Sequence, residues 1–172
     1  MKLTLTDPRF LKDSILIISE LVNEVNFKVD KDKIELIAMD PANVAMVVFK
    51  LLSSAFAEYD VHEEKTIGLN LMNFTQLLKR VKPTDILTLE LDGEKNRLNV
   101  TLKGTTTRNF NLALLDIEEK EQRVPTLKFA VKINTNSTLF NESIEDMDII
   151  ADSLSLSAVK NKEIALIKRA EG

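Results

Sequence analysis

Apolar residues recur along this chain first at helical and then at alternating spacing, and the pattern is repeated three times. After Phe10, the residues Leu11, Ile15, Ile18, Leu21 and Val22 mark one helical face, opened by Asp7-Pro8 as cap and first-turn proline and ending near Asn23. Alternation at Val25, Phe27 and Val29 predicts a strand, Asp30 to Lys33 a polar turn, and Ile34–Met39 a second strand. Beyond the turn signal Asp40-Pro41, Val44–Phe49 reads as its partner.

A second copy places Phe74, Leu77, Leu78 and Val81 on one helical face before Lys82-Pro83 stops the helix. Strands over Ile86–Leu91 and Leu98–Leu102 then flank Asp92-Gly93-Glu94-Lys95-Asn96, a strong hairpin signal. In the third copy Phe140, Ile144, Met147 and Ala151 give the helix, followed by strands at Leu154–Ala158 and Ile164–Lys168. The leading phenylalanines stand 64 and 66 residues apart, which points to a repeated structural unit. A helix packed on the strands of two such units predicts an α+β domain of antiparallel sheets with helices on one face. The expected division is a first domain over 1–116, a connector over 117–128 that is polar, charged and proline-containing, and the first half of a second domain over 129–172.

Composition narrows the chemistry. With 172 residues and 44% hydrophobic content the chain can bury a sizeable core, and no run approaches a membrane span or a signal peptide, so a soluble intracellular protein is expected. There is no cysteine, and the lone His62 lies in the charged stretch His62-Glu63-Glu64-Lys65, so neither thiol chemistry nor a multi-histidine metal site is anticipated. Four scattered glycines build no phosphate-binding loop. A net charge of -4 argues against a basic surface overall and leaves room for a local basic face.

Met39 and Val44 border the exposed Asp40-Pro41 connection. They read either as the core ends of an ordinary hairpin or as a rim that captures another protein's apolar anchors. On the third helix Glu142, Glu145, Asp146, Asp148 and Asp152 form an acidic face: solvated charge, a subunit interface, or a carboxylate cluster for a divalent metal.

The run Leu36-Ile37-Ala38-Met39-Asp40-Pro41-Ala42-Asn43-Val44-Ala45-Met46-Val47, with Phe56-Ala57-Glu58-Tyr59 and Lys65-Thr66-Ile67-Gly68-Leu69-Asn70, closely resembles the DNA sliding clamps of the proliferating cell nuclear antigen family, archaeal members above all. The resemblance extends over the whole chain, and Leu114-Leu115-Asp116-Ile117-Glu118 matches the start of the family's interdomain connector. It implies a non-enzymatic processivity factor without cofactor or metal. In such a ring, helices line the hole and duplex DNA passes through, while DNA polymerase, clamp loader, ligase and nuclease dock through short peptide motifs. The location implied is the archaeal cytoplasm and nucleoid, or the nucleus in a eukaryote.

Carried over by position, partner peptides are expected at Met39, Asn43, Val44, Val124 and Pro125, and DNA at Lys12, Lys79, Arg80 and Lys82. The implied subunit interface takes Arg80, Lys82, Thr105, Thr107, Arg108 and Phe110 on one side and Glu142, Glu145 and Asp146 on the other. Gln122 departs from the family, which often has an apolar residue there. Three repeat units stand where the family has four, so Gly172 reads as a cut; these residues alone are expected to be monomeric or weakly associated, and the complete subunit to form a homotrimer. Two alternatives are a checkpoint-type heteromeric clamp in damage signalling and a metal-dependent carboxylate enzyme.

Overall fold

Each repeat lends its first strand to the sheet of the other. The computed structural model describes residues 1–118, 124–129, 132–149, 155–157 and 165–167, in two units, Met1–Arg123 and Val124–Gly172. The first repeat contributes β1 (Lys2–Leu5), α1 (Arg9–Ile18), β2 (Glu24–Val29), β3 (Lys33–Met39) and β4 (Met46–Leu52). After the short strand β5 (Glu58–Asp60), the second contributes β6 (Lys65–Asn70), α2 (Leu71–Leu78), β7 (Ile86–Asp92), β8 (Arg97–Lys103) and β9 (Thr107–Ala113). Strand order is β5-β1-β7-β8-β9 in one sheet and β4-β3-β2-β6 in the other, with antiparallel pairing throughout.

One apolar core takes side chains from both sheets and both helices, among them Leu3, Ile15, Leu36, Leu71, Leu78, Leu87 and Leu102. Burying each such side chain stabilises the fold by roughly 1.5 to 3 kcal/mol. The helices meet it through Leu11, Ile15 and Ile18 of α1 and Leu71, Phe74, Leu77 and Leu78 of α2. Tyr59 of β5 donates its hydroxyl to Asp30 O at 2.8 Å, tying the first sheet to the β2–β3 turn. Burial, and then the charges of Asp30 and Asp32, push that phenol up to about 12.

Burial corrects the register of the repeat. Leu11 and Phe74, Ile15 and Leu78, and Ile18 and Val81 are buried equivalents 63 residues apart, one fewer than the spacing of Phe10 and Phe74. Phe10 itself is 62% exposed and lies over Phe49 with ring centroids 6.5 Å apart. The start of α1 also differs from expectation: Pro8 is the N-cap, without a side-chain cap bond, while Asp7 Oδ1 accepts from Arg9 N at 3.1 Å and Arg9 Nε at 2.8 Å. The Arg9 side chain and then its backbone N–H hold the Asp7 carboxyl at about 2. Helical pairing ends at Ile18, and tight turns, with Leu21 N donating to Ile18 O at 3.0 Å, carry the chain to Val22.

The expected strands at β2, β3, β7 and β8 are present, and that from Val44 begins at Met46. In the second unit Asn136 Oδ1 caps α3 (Ser137–Asp148) by accepting from Thr138 N at 2.9 Å. There β10 (Ser155–Ser157) pairs antiparallel with β11 (Ala165–Ile167). Gln122, Ala151, Asp152, Leu154, Ala158, Ile164, Lys168 and Gly172 lie outside the described residues.

Candidate peptide-docking face and basic helix end

Opposite the core, the outer face of the four-stranded sheet carries apolar side chains. Pairing sets Ile37 beside Val48 and Met39 beside Met46, on the face turned away from buried Leu36, Ala38 and Phe49. Val48 is 44% exposed and Val44, in the adjoining loop, is 86% exposed. Of the expected docking residues, Met39, Asn43 and Val44 therefore share one end of this face, while Val124 and Pro125 are exposed residues of the second unit. Ile37, Met46 and Val48 belong to the face without having been expected there. Their signal is the unbroken run Leu36-Ile37-Ala38-Met39, since a strand with one wet face alternates and this one does not.

Asp40 organises the loop. Its Oδ1 accepts from Val44 N and Ala45 N, each at 2.7 Å, and its Oδ2 accepts from Ala42 N at 3.3 Å. Asp40 N donates to Ala45 O at 2.9 Å, and Asn43 turns the chain at a φ of 58°, a left-handed conformation that asparagine tolerates. The bonds from Ala45 first, then Val44 and Ala42, hold the Asp40 carboxyl below its free value of 3.8 against a smaller desolvation effect. A depressed carboxyl stabilises the folded loop above its free pKa and loses that contribution as pH falls through the lower folded one. Hydrogen exchange at Val44 and Ala45 should therefore stay protected on acidification through pH 3.8 and open only below it. Loss of protection well above that pH would remove Asp40 from this role.

The expected DNA contacts divide into two kinds. Lys79, Arg80 and Lys82 are exposed around the end of α2. Lys12 instead reaches from α1 to donate to Val81 O at 3.2 Å, in the turn that follows α2.

At the other edge of the unit, β9 ends the five-stranded sheet and pairs only with β8 among the described residues, leaving its second edge open. Thr107, Arg108 and Phe110 lie on it, whereas Thr105 sits in the preceding turn. Arg108 is committed within the subunit: it donates to Arg80 O at 3.0 Å and is paired with buried Asp85. Asp85 Oδ2 also accepts from Lys82 N at 2.8 Å, so this carboxylate joins the end of α2 to the edge strand. Glu142, Glu145 and Asp146 are exposed on α3, with Glu145 accepting from Asn141 Nδ2 at 2.7 Å. Among the described residues no cluster of three or more His, Asp or Glu is placed to hold a metal, and no helix is long and apolar enough to cross a membrane.

A duplicated unit of helix and strands, with exchanged sheets and two helices on a common core, defines a clamp-type α+β domain. Residues 1–123 match the family described as proliferating cell nuclear antigen, N-terminal domain, and this chain belongs to that family. It is 39% identical over 154 residues to a DNA polymerase sliding clamp of Pyrococcus horikoshii and 38% identical over 154 residues to that of Pyrococcus furiosus. Each match covers 90% of this chain and 60% of the relative, so the chain spans about three-fifths of the relatives' length. Among solved structures, the PCNA2–PCNA3 complex of Sulfolobus tokodaii superposes with a TM-score of 0.86 at 25% identity, over 97% of this chain and 72% of that one. PCNA from Thermococcus kodakaraensis shares the fold, with a TM-score of 0.86 at 24% identity over 96% of this chain and 71% of that one.

Proposed function

We propose that this chain acts as a subunit of a DNA sliding clamp, a ring that encircles duplex DNA and tethers DNA polymerase and other replication and repair proteins. The observation that carries the reading is the family match over the first unit, whose relatives are named as polymerase sliding clamps. The role is mechanical and calls for no catalytic group. Topological linkage replaces tight binding, so a few exposed cations on an acidic protein suffice.

Lys79, Arg80 and Lys82 are assigned to diffuse phosphate contact, with Lys12 bracing the two helices. The open edge of β9, with Thr107 and Phe110, is assigned to ring closure, with Thr105 in the adjoining turn, Arg108 stiffening the strand, and Glu142, Glu145 and Asp146 offering charge to Arg80 and Lys82 of a neighbour. Partner peptides with aliphatic and aromatic anchors are assigned to the outer face at Met39, Asn43 and Val44, and Val124 and Pro125 of the second unit are assigned to peptide contact by position alone. The proposed ring is a homotrimer. The Sulfolobus tokodaii neighbour, a complex of two different clamp proteins, favours unlike subunits as the second reading.

Retention on DNA tests the proposal. After loading, the clamp should stay on a nicked circular duplex and be lost once the circle is cut. Replacing Lys79, Arg80 and Lys82 with alanine should weaken binding to a short duplex and flatten the dependence of log affinity on log salt by about 0.9 for each phosphate no longer neutralised. Equal loss from circular and linear DNA would refute encirclement, and an unchanged salt slope would remove these three residues from the DNA-facing surface.

A further inference from the structure

The core of the first unit is not filled everywhere. A cavity of about 30 Å³ lies between strands β1, β7 and β8 of one sheet and β2, β3 and β6 of the other. Its walls are apolar throughout and include Leu3, Leu11, Phe27, Ile67, Phe74 and Leu89.

The duplication explains where the space comes from. Strands β1 and β7 stand in the five-stranded sheet as β6 and β2 do in the four-stranded one, and Leu89 pairs with Leu3 as Phe27 pairs with Ile67. Leu89 is therefore the counterpart of Phe27, just as Leu11 is the counterpart of Phe74. Phe27 and Phe74 meet edge to face with ring centroids 6.5 Å apart and planes at 85°, a favoured aromatic geometry. In the other half two leucines hold the equivalent positions, and an isobutyl group does not reach as far as a benzyl group. Close packing around them keeps the core from collapsing into the gap.

Walls of hydrocarbon deny water the roughly two to four polar partners that it needs, so the cavity does not suit water. Its volume of about 30 Å³ is two to three times the roughly 10–15 Å³ that one water takes, which is room for a larger guest. Met1 also lines the cavity; it is partly exposed where the walls named above are buried, so entry runs past its flexible thioether chain.

We infer that this cavity is a binding site for one small apolar molecule, of the size of a xenon atom or a short hydrocarbon, seated among Leu11, Leu89 and the Phe27–Phe74 pair. The guest gains dispersion contacts that the leucine side of the core lacks, and no polar group is desolvated. The site depends on the packing of the duplicated core alone and stands apart from the clamp reading. Because the unfolded chain has no such cavity, the guest also raises the unfolding temperature.

Xenon is the probe, dissolved under rising pressure into a solution of the 172-residue chain while methyl resonances are followed by NMR. Methyl signals of Leu11, Ile67 and Leu89 should shift along saturating curves with one common midpoint. Those of Leu51 and Leu102, buried but away from the cavity, should only drift in proportion to pressure. Leu89→Phe places there the ring that Phe27 carries at the equivalent position, and Leu11→Phe does the same for Phe74; either folded variant should lose the saturating response. Shifts that stay linear in the parent chain would overturn the site. Saturation that persists in a folded variant would overturn it too, because the xenon would then sit elsewhere. Failure of both variants to fold would show that the core has no space for the added atoms, and would count equally against it.

Discussion

Replacing Asp85 with alanine is expected to lower the unfolding free energy of the first unit by about 3 kcal/mol, the low end for removing one partner of a buried ion pair. The loss has two parts. Lys82 N and Arg108 Nη2 both lose their acceptor, and Arg108 Nε already lacks a hydrogen-bond partner, so a poorly solvated cation is left with only Nη1 bonded, to Arg80 O. The side chain of Arg108 is 26% exposed, and water reaching it keeps the cost below that of full burial. Gly104 faces the same carboxylate so closely that a Cβ there would stand 2.2 Å from Asp85 Oδ1, and the site cannot collapse around a smaller residue without moving that turn. Asp85→Asn keeps an acceptor for Lys82 N and should cost less than alanine. Urea denaturation gives both values, with an unchanged m-value showing that only the native state has been weakened. A loss under about 0.5 kcal/mol for Asp85→Ala would show that α2 and β9 are not held together here.

The second large effect is expected at the docking face. Val44 is 86% exposed, so Val44→Asp should leave stability within about 0.5 kcal/mol of the parent. Against a peptide with apolar anchors the new carboxylate must be desolvated, and affinity should fall about thirtyfold, or ~2 kcal/mol, the size of an interface hot spot. Isothermal calorimetry against a short synthetic peptide with aliphatic and aromatic anchors measures this. Undiminished affinity in a folded protein would remove Val44 from the docking surface. Asn43 offers an independent check at the same loop: Asn43→Gly keeps the left-handed turn available, whereas Asn43→Val does not, and only the valine variant should impair binding.

Local pattern carried much of this fold because β2, β3, β7 and β8 have alternation and clear turns, and α1 and α2 have helical stripes. It did not carry β1 and β6, whose partners lie in the other repeat, a pairing that no local window contains. Phe10 misleads because an aromatic residue at a helix start reads as core, whereas its neighbour Leu11 is the buried one. At the candidate sites, exposed Val44 and the basic helix end are legible as residue types. Asp85 is not, since a charged residue after Lys82-Pro83 reads as solvent-facing and only the three-dimensional approach of Lys82 N and Arg108 buries it. Asp40 reads as a turn-former, and its role as acceptor for Ala42, Val44 and Ala45 depends on loop geometry.

The exchanged first strands bear on how this unit comes apart. Neither repeat holds a complete sheet of its own: β1 lies between β5 and β7, and β6 closes the sheet of β2, β3 and β4. If one half melts, the other loses a strand and the apolar face behind it, so partial unfolding has no favourable stopping point and the transition is expected to be all-or-none. Two separate chains exchanging arms in this way would form a swapped dimer whose stability fell on dilution. Here residues 53–64, which include β5, join the two repeats covalently, and that dependence on concentration disappears.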